Sequence, residues 1–178
     1  MTIKNLLNKT IMDKLEVDKP EVDKPEATIR VVFDVKIKKL VPEAVIPSYA
    51  HPGDAGMDIT CTSIEYDDKN DCIMYHTGLA FEVPKGYVML IFPRSSNRKT
   101  NFYLANAVGV LDSSYRGELM MAYKRRDKEP YNIKEVPYQP GERIGQIMIL
   151  PYPLIRFVEV DELSETERGT GGFGSTGK

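Results

Sequence analysis

From about residue 29 onward, apolar residues occur in short runs that proline, glycine and charged residues interrupt. The runs are rich in β-branched and aromatic residues, and turn pairs such as Pro52-Gly53 and Pro140-Gly141 separate them. Strands spaced at about 8–12 residues predict an all-β fold, that is, a jelly-roll-like barrel or sandwich. No segment of this body has the period of a long amphipathic helix. The expected strands are 29–37, 57–62, 72–83, 86–92, 102–111, 118–125, 142–150 and 155–160.

The first 28 residues have a different character. The unit VDKPE is repeated almost twice between Glu16 and Ala27, and a segment with so much proline and charge cannot bury a core. We therefore predict an N-terminal extension and linker over 1–28, a β domain over 29–167 and a flexible glycine-rich tail over 168–178. Apolar residues at near-helical spacing also allow a short helix ahead of the linker: Ile3, Leu6, Leu7, Ile11 and Leu15.

Composition excludes several classes of protein. The 178 residues carry a net charge of −2, so the chain as a whole has no field that would attract nucleic acid. Cys61 and Cys72 are too few for a disulfide framework or a zinc site, and they favour a reducing, cytoplasmic location. No apolar run is long enough to span a membrane, and the N-terminus lacks the features of a signal peptide.

Five segments interrupt the strand pattern with glycine, small polar residues and charge. Each segment alone has the composition of an ordinary turn, since Gly, Pro, Asp and Ser are the common turn residues. Together they suggest a binding site, because four of them carry an arginine, and arginine with hydroxyl and backbone donors binds phosphate. The segments are DAGMDIT (54–60), PRSSNRK (93–99), NAVGVLDSSYRGE (106–118), PGERIGQIMI (140–149) and RGTGGFGSTGK (168–178).

Two residues in these segments suggest chemistry beyond phosphate binding. Asp112 follows an apolar run at the end of a predicted strand, so it is the carboxylate best placed to act as a base, although it could also begin an Asx turn. Phe173 lies in a glycine-rich strip that has no core to join. Stacking on a nucleobase would explain this phenylalanine.

The five segments, in this order, resemble the trimeric deoxyuridine triphosphatases over residues 29–178, and the third and fifth motifs are long and specific. The resemblance implies a homotrimer that hydrolyses dUTP to dUMP and pyrophosphate, with Mg²⁺ carried on the triphosphate. Such an enzyme limits uracil incorporation into DNA and supplies dUMP. The matching motifs are AGMDI, PRSS, GVLDSSYRGE, ERIGQ and RGTGGFGSTG.

The resemblance also implies roles for single residues. Asp112 would activate the attacking water, and Tyr115 would pack against the deoxyribose and exclude a 2′-hydroxyl. No residue would bind the metal directly, although Asp58 would lie near it through water. Phe173 would stack on uracil, and the other substrate-binding positions would be Arg94, Ser95, Ser96, Asn106, Gly109, Gln146, Arg168, Gly171, Gly172, Gly174, Ser175 and Thr176.

The chain departs from the family pattern in a few places. Met57 replaces a usual aromatic residue, Gly145 replaces a usual alanine, and the stretch 124–139 is longer than usual. The sequence leaves open which of Arg98 and Lys99 faces the ligand.

Two other functions remain open at this stage. One is a dCTP deaminase on a related fold, although the tail favours release of pyrophosphate. The other is a dUTP-gated regulatory protein that binds a partner through the N-terminal extension or through 124–139.

Overall fold

A computed structural model describes residues 33–127, 129–130, 132 and 134–172 of the chain. The predicted N-terminal helix and linker and the tail residues Phe173 to Thr176 lie outside the described residues. The prediction of an all-β fold is confirmed: the described part contains nine strands and one short 3₁₀ helix, η1 (Ser95–Lys99). The strands are β1 (Lys36–Lys39), β2 (Met57–Thr60), β3 (Ser63–Asp67), β4 (Cys72–Glu82), β5 (Tyr87–Phe92), β6 (Phe102–Leu104), β7 (Gly109–Leu111), β8 (Glu118–Arg125) and β9 (Arg143–Pro151).

The strands form two antiparallel sheets. The first sheet has the order β1-β4-β8-β6, with β3 also paired to β4, and the second has the order β2-β9-β5-β7. The long strand β4 pairs with β1 and β3 through successive halves, and it pairs with β8 as well. Strands β6 and β7, which follow each other in the chain, stand at the ends of the two strand orders.

The core contains side chains from both sheets. Fully buried aliphatic residues include Ile59 and Met89 from the second sheet and Ile73 from the first. Three tyrosines pack edge to face within the core, with ring centroids 5.5–5.8 Å apart, a geometry that aromatic quadrupoles favour. They are Tyr75, Tyr123 and Tyr138.

Three parts of the strand prediction needed correction inside the domain. Of the expected strand 29–37, residues 33–35 form no strand, β1 begins at Lys36 and runs on to Lys39, and 29–32 lie outside the described residues. The expected strand 102–111 is broken into β6 and β7, because Ala107 has a φ of 57° and the Val108 amide turns back to the Asn106 carbonyl. The sequence reading also missed β3, whose mixed polar pattern gives it only partial burial against β4. The break between β6 and β7 matters for function, because Asn106 lies in it.

The predicted strand 155–160 is wrong for the chain as described. Residues 152–167 form no described strand, and the apolar side chains of this C-terminal arm are exposed. Leu154, Phe157 and Leu163 are 97%, 90% and 88% exposed. A strand needs a partner for its backbone groups, and no described strand of this chain pairs with the arm.

Cys61 and Cys72 are both buried and free of disulfides, and Cys72 opens strand β4. Burial raises the pKa of the Cys61 thiol to about 11. The search of the described residues finds no helix with the length and apolar character of a membrane span.

Candidate nucleotide-binding site

A cavity of about 290 Å³ is lined by residues of both sheets. Its volume is near the lower limit of small-molecule pockets, so it has room for a base and sugar rather than a whole triphosphate. Four of the predicted site residues line it: Asn106, Gly109, Asp112 and Tyr115. The rest of the lining is mainly aliphatic and thioether side chains from β4, β5, β6, β7 and β8: Met74, Ile91, Leu104, Val110, Leu111, Leu119, Met120, Met121 and Ala122, together with Glu118.

Gly109 keeps one wall of the cavity open. A Cβ at this position would lie 3.0 Å from Cβ and Cδ1 of Ile91 and 3.4 Å from the Asn106 amide nitrogen. The main chain of β7 therefore packs directly on β5 and presents its backbone toward the cavity. Backbone donors and acceptors held in this way match the polar edge of a base.

The turn 112–117, which connects β7 of the second sheet to β8 of the first, carries the two residues with predicted chemical roles. The Tyr115 amide donates to the Asp112 carbonyl at 3.1 Å, which closes the turn. Asp112 is exposed at the cavity, where its carboxylate is accessible to a water molecule. The Tyr115 hydroxyl donates to the Glu118 carbonyl at 3.0 Å, so the ring folds back over the end of this turn.

A second cluster surrounds Asp58 on β2. The Asp58 carboxylate accepts from Arg94 Nε at 3.0 Å and from Arg143 Nη1 at 2.9 Å. Both of its oxygens are thus engaged by guanidinium groups, which adds a direct structural role to the one the sequence suggested. The Arg94 and Asp58 side chains are only 25% and 28% exposed, so the Arg94 guanidinium is held in place before any ligand binds.

Arg143 is a functional candidate that was not among the predicted site residues. Its side chain is 56% exposed, and it shares the Asp58 carboxylate with Arg94. The sequence did contain a signal, since Arg143 lies within the fourth motif. Eighty-five positions separate Arg143 from Asp58, so only the pairing of β2 with β9 reveals the contact.

The turn after Arg94 rests on a buried asparagine. Asn97 is 7% exposed, and its amide nitrogen donates to the Phe102 carbonyl at 3.0 Å. From the core, the Tyr138 hydroxyl donates to Asn97 Oδ1 at 3.1 Å. Burial raises the pKa of the Tyr138 phenol, which therefore remains a donor. Asn97 and Tyr138 were missed by the sequence reading, which saw only a polar turn.

The two serines and the two cationic residues that follow Arg94 differ in their exposure. Ser95 is exposed, whereas the Ser96 hydroxyl is buried close to the Tyr138 hydroxyl. Arg98 and Lys99 are both exposed, so burial does not choose between them. Ser95, Arg98 and Lys99 are therefore the residues of this turn that are open to a phosphate from solvent.

Gln146 joins the Asp58 cluster rather than the cavity lining. It lies opposite Asp58 in the pairing of β2 with β9, and its amide nitrogen donates to the Pro93 carbonyl at 3.1 Å. Gln146 therefore fixes the residue that leads into Arg94. Its described contacts are with the start of the turn, and it is not part of the cavity lining.

The described start of the tail forms a local turn. Arg168 Nε donates to the Gly171 carbonyl at 2.8 Å, and the Gly171 amide donates to the Arg168 carbonyl at 3.1 Å. Arg168, Gly171 and Gly172 are not part of the cavity lining. Phe173, Gly174, Ser175 and Thr176 lie outside the described residues.

The donor set of the site fits a metal that arrives with its ligand. Within the described residues, no three His, Cys, Asp or Glu side chains are grouped closely enough to hold an ion. Asp58 is committed to two arginines. Mg²⁺ prefers phosphate oxygens and water over a full protein cage, so these residues suit Mg²⁺ bound to a polyphosphate.

A histidine and two glutamates form a cluster that adjoins the cavity through Glu118. His76 Nδ1 is 3.0 Å from Glu118 Oε2, and His76 Nε2 is 3.3 Å from Glu65 Oε2. Burial opposes protonation of His76, but the hydrogen bonds and charges of Glu118 and Glu65 outweigh it and raise the pKa of the imidazole. Burial likewise opposes ionisation of Glu118, but His76 and the Gly78 and Thr77 amides outweigh it and lower the pKa of the carboxyl.

An all-β domain that has a base-sized pocket and, on other residues, a cluster of two arginines belongs to the nucleotide-binding class of jelly-roll proteins. A family model described as dUTPase matches residues 42–177. The chain belongs to the dUTPase family.

Curated relatives have the same family name. The deoxyuridine 5′-triphosphate nucleotidohydrolase of Alkaliphilus metalliredigens is 36% identical over 147 residues, covering 82% of this chain and 99% of the relative. The protein of that name from Nautilia profundicola is 41% identical over 145 residues, covering 81% and 99%.

Solved structures agree with these relatives. A mutant dUTPase of Staphylococcus bacteriophage 80alpha with dUpNHpp superposes with a TM-score of 0.67 at 29% identity, covering 83% of this chain and 100% of that one. Another structure of the 80alpha dUTPase with this ligand has a TM-score of 0.66 at 27% identity, covering 83% and 100%. That phage protein is described as controlling transfer of virulence genes by a G protein-like mechanism.

Proposed function

We propose that this chain is a dUTP diphosphatase that cleaves dUTP at the α-phosphate and releases dUMP and pyrophosphate. The observation that carries the proposal is the cavity in which Asp112 and Tyr115, from the turn 112–117, meet Asn106 and Gly109. A carboxylate, an aromatic ring and open backbone around a base-sized space match the needs of nucleotide hydrolysis. The Asp58 cluster supplies the cationic groups that the triphosphate requires.

The reaction needs one proton acceptor and an aligned water. Asp112 accepts a proton from the water as its oxygen bonds to the α-phosphorus. The bond from the α-phosphorus to the bridging oxygen breaks, and pyrophosphate leaves with that oxygen. Mg²⁺ bound to the phosphates neutralises part of the charge that develops on them.

Selectivity resides on the cavity side. The backbone from Gly109 to Tyr115 pairs with the uracil edge, and cytosine would leave these groups unpaired, which is costly in a buried site. Asn106 lines the same wall and contributes to holding the nucleoside. Tyr115 packs on the deoxyribose and leaves no room for a 2′-hydroxyl.

Phosphate binding resides on the turn and the tail. Arg94, held by Asp58, and the exposed backbone and hydroxyl of Ser95 meet the phosphates first. Gln146 holds the start of the turn through the Pro93 carbonyl, and the Ser96 hydroxyl is buried beneath it. The tail then covers the nucleotide, with Phe173 on the base and the other groups on the terminal phosphate: Arg168, Gly171, Gly172, Gly174, Ser175 and Thr176.

The exposed C-terminal arm supports a homotrimeric assembly. Its apolar side chains, such as Phe157 at 90% exposure, find no cover in the described chain. A second copy of the chain would bury them and could bring its tail to a neighbouring site. The free, buried cysteines are compatible with the proposed cytoplasmic location.

A regulatory role is a second candidate, and it does not exclude hydrolysis. The observation in its favour is the likeness to the 80alpha dUTPase, which is described as controlling gene transfer. We propose the longer stretch 124–139 and the N-terminal extension as the partner surfaces. A membrane or nucleic-acid partner is not part of the proposal.

The test is pyrophosphate release by the full chain with Mg²⁺, measured with dUTP, dCTP, dTTP and UTP. We expect strong preference for dUTP, and a loss of about 10²–10⁴-fold in kcat for Asp112→Asn, because the amide cannot accept the proton. Light scattering should give the mass of three chains for both proteins, and dUpNHpp should still bind the variant. Comparable turnover of dCTP or UTP, or an active Asp112→Asn protein, would overturn the proposal.

A further inference from the structure

The ring of Tyr115 is held by the end of its own turn, at Gly117 and Glu118, rather than by the core. Tyr115 is 43% exposed, so few neighbours restrict its rotation. A Cβ built on Gly117 would lie 2.4 Å from the Tyr115 hydroxyl oxygen and 2.6 Å from Cζ. The phenol therefore lies flat against the bare backbone of Gly117, and any side chain there would push the ring away.

The other contact of the ring is with Glu118. The Tyr115 hydroxyl donates to the Glu118 carbonyl at 3.0 Å. Glu118 is the first residue of β8, so the position of its carbonyl depends on how the beginning of this strand is held. Whatever fixes Glu118 therefore also fixes the Tyr115 ring.

Glu118 is fixed by a break in the pairing of β4 with β8. The register shifts between His76 and Ala80, so the backbone amides within the shift cannot all join the ladder. Glu118 Oε1 accepts from the Thr77 amide at 3.1 Å and from the Gly78 amide at 2.7 Å. An unpaired buried amide is costly, so the carboxylate has a strong reason to stay there.

The same segment of β4 holds β8 through other contacts. The buried Thr77 hydroxyl donates to the Leu119 carbonyl at 2.6 Å. Gly78 has a φ of 64°, and a Cβ there would lie 2.4 Å from Val41 Cγ2. The break in β4 is therefore confined on both sides, which makes it a rigid support. The lowered pKa of Glu118 keeps its carboxylate ionised as the acceptor.

We propose that Gly117 and Glu118 are positioning residues that set the enzyme's preference for deoxyribose over ribose by fixing the Tyr115 ring. The inference rests on the proposed dUTP hydrolysis and extends it to two residues that act through the Tyr115 ring. Exclusion of one hydroxyl depends on repulsion between atoms, which rises steeply over a few tenths of an ångström. An exposed ring achieves this only if it is held within about 0.5 Å of its working position.

The experiment compares kcat/KM for dUTP with kcat/KM for UTP in each variant. Both values come from the same protein sample, so a partly unfolded fraction cancels in their ratio. For Gly117→Ala we expect the ratio to fall about tenfold or more, because the displaced ring admits a 2′-hydroxyl and grips deoxyribose less well.

Two substitutions of Glu118 separate positioning from bulk stability. Glu118→Gln keeps an oxygen acceptor for the Thr77 and Gly78 amides, so its ratio should remain close to that of the wild type. Glu118→Ala removes the acceptor, and its ratio should fall toward that of Gly117→Ala. The matched control is Glu65→Ala, which removes the other carboxylate partner of His76 without touching the amides that Glu118 caps. Its ratio should be unchanged.

The outcomes separate the two proposals. A wild-type protein that releases no pyrophosphate from dUTP would refute the proposed function itself. An active, dUTP-selective wild type whose ratio is the same in Gly117→Ala and Glu118→Ala would refute the positioning role alone. An equal loss of selectivity in Glu65→Ala would show that general disturbance of this region, rather than the hold on Tyr115, controls the choice of sugar.

Discussion

The phosphate side and the base side of the site are built on different physical principles. On the phosphate side, Arg94 and Arg143 converge on Asp58, and their positions depend on charge. On the base side, Tyr115 depends on the bare backbone of Gly117 and on a carboxylate that caps main-chain amides. Coulomb attraction falls slowly with distance, whereas steric exclusion changes over tenths of an ångström. Triphosphate binding therefore tolerates small displacements of the arginines, whereas discrimination between sugars requires a rigid support.

Neutralising Asp58 should produce the largest effect on the phosphate side. Asp58→Asn removes the charge that holds Arg94 and Arg143, and we expect the affinity for dUpNHpp to fall about tenfold, as for the loss of a hydrogen bond to a charged group. Affinity for deoxyuridine should not change. Calorimetric titration with both ligands measures the two affinities.

The control for Asp58 is Asp54→Asn, which removes an exposed acid that pairs with His51 instead. It should leave both affinities unchanged. Tighter binding of dUpNHpp by Asp58→Asn would contradict the prediction, because it would mean that Asp58 competes with the phosphates for the arginines.

Removing a single hydroxyl tests whether the turn after Arg94 is also supported by a rigid contact in the core. Tyr138→Phe deletes the donor to Asn97 and leaves a buried acceptor short of a partner, so it should cost about 1 kcal/mol of stability. Tyr75→Phe is the matched control: the Tyr75 hydroxyl is buried near the Tyr138 backbone but makes no hydrogen bond of good geometry within the described residues. Urea denaturation at equal chain concentration compares the variants, and equal losses would exclude a special role for Tyr138.

The smallest effect should be the contribution of His76, next to the base side, to the pH dependence of folding stability. Because the folded pKa of His76 is raised, its ion pairs add stability that is complete below its unfolded pKa and is lost as pH rises through the folded pKa. The pKa of Glu118 is lowered, so its contribution to stability is lost as pH falls through its folded pKa. Wild-type stability from this group is therefore greatest between the two values.

In His76→Gln, the decline in stability from about pH 6 to 8 should become shallower. Thermal denaturation across this range measures the slope. The control His51→Gln alters an exposed histidine whose side chain is 81% accessible, and it should keep the wild-type slope. A slope that persists in His76→Gln would assign the pH dependence to other groups.

The sequence predicted best what lies close together along the chain. Asp112 and Tyr115 occur within one motif, and the structure places both at the same cavity. The all-β class and the dUTPase family were likewise predicted and are confirmed. Local patterns suffice here because period-2 alternation and turn chemistry are short-range properties.

Long-range pairings could not be predicted in the same way. The contact between His76 and Glu118 joins residues 42 positions apart, and it exists only because β4 pairs with β8 with a shifted register. Gly145 is another example. A Cβ there would lie 2.2 Å from Met121 Cε, so the glycine that departs from the family pattern makes room for a large neighbour. Such compensation depends on packing across strands, which a single sequence does not reveal.

The exposed arm after β9 has a consequence for how the enzyme's output depends on its abundance. Folding of one chain leaves Leu154 and Phe157 in water, so a second event, the meeting of several chains, is needed to cover them. Under the trimer proposal, the active species forms in a step whose rate rises faster than linearly with the amount of chain. Dilution would then switch the activity off while each chain stays folded. Total activity would then rise steeply once the chain concentration is high enough for assembly, rather than in proportion to the amount of protein made.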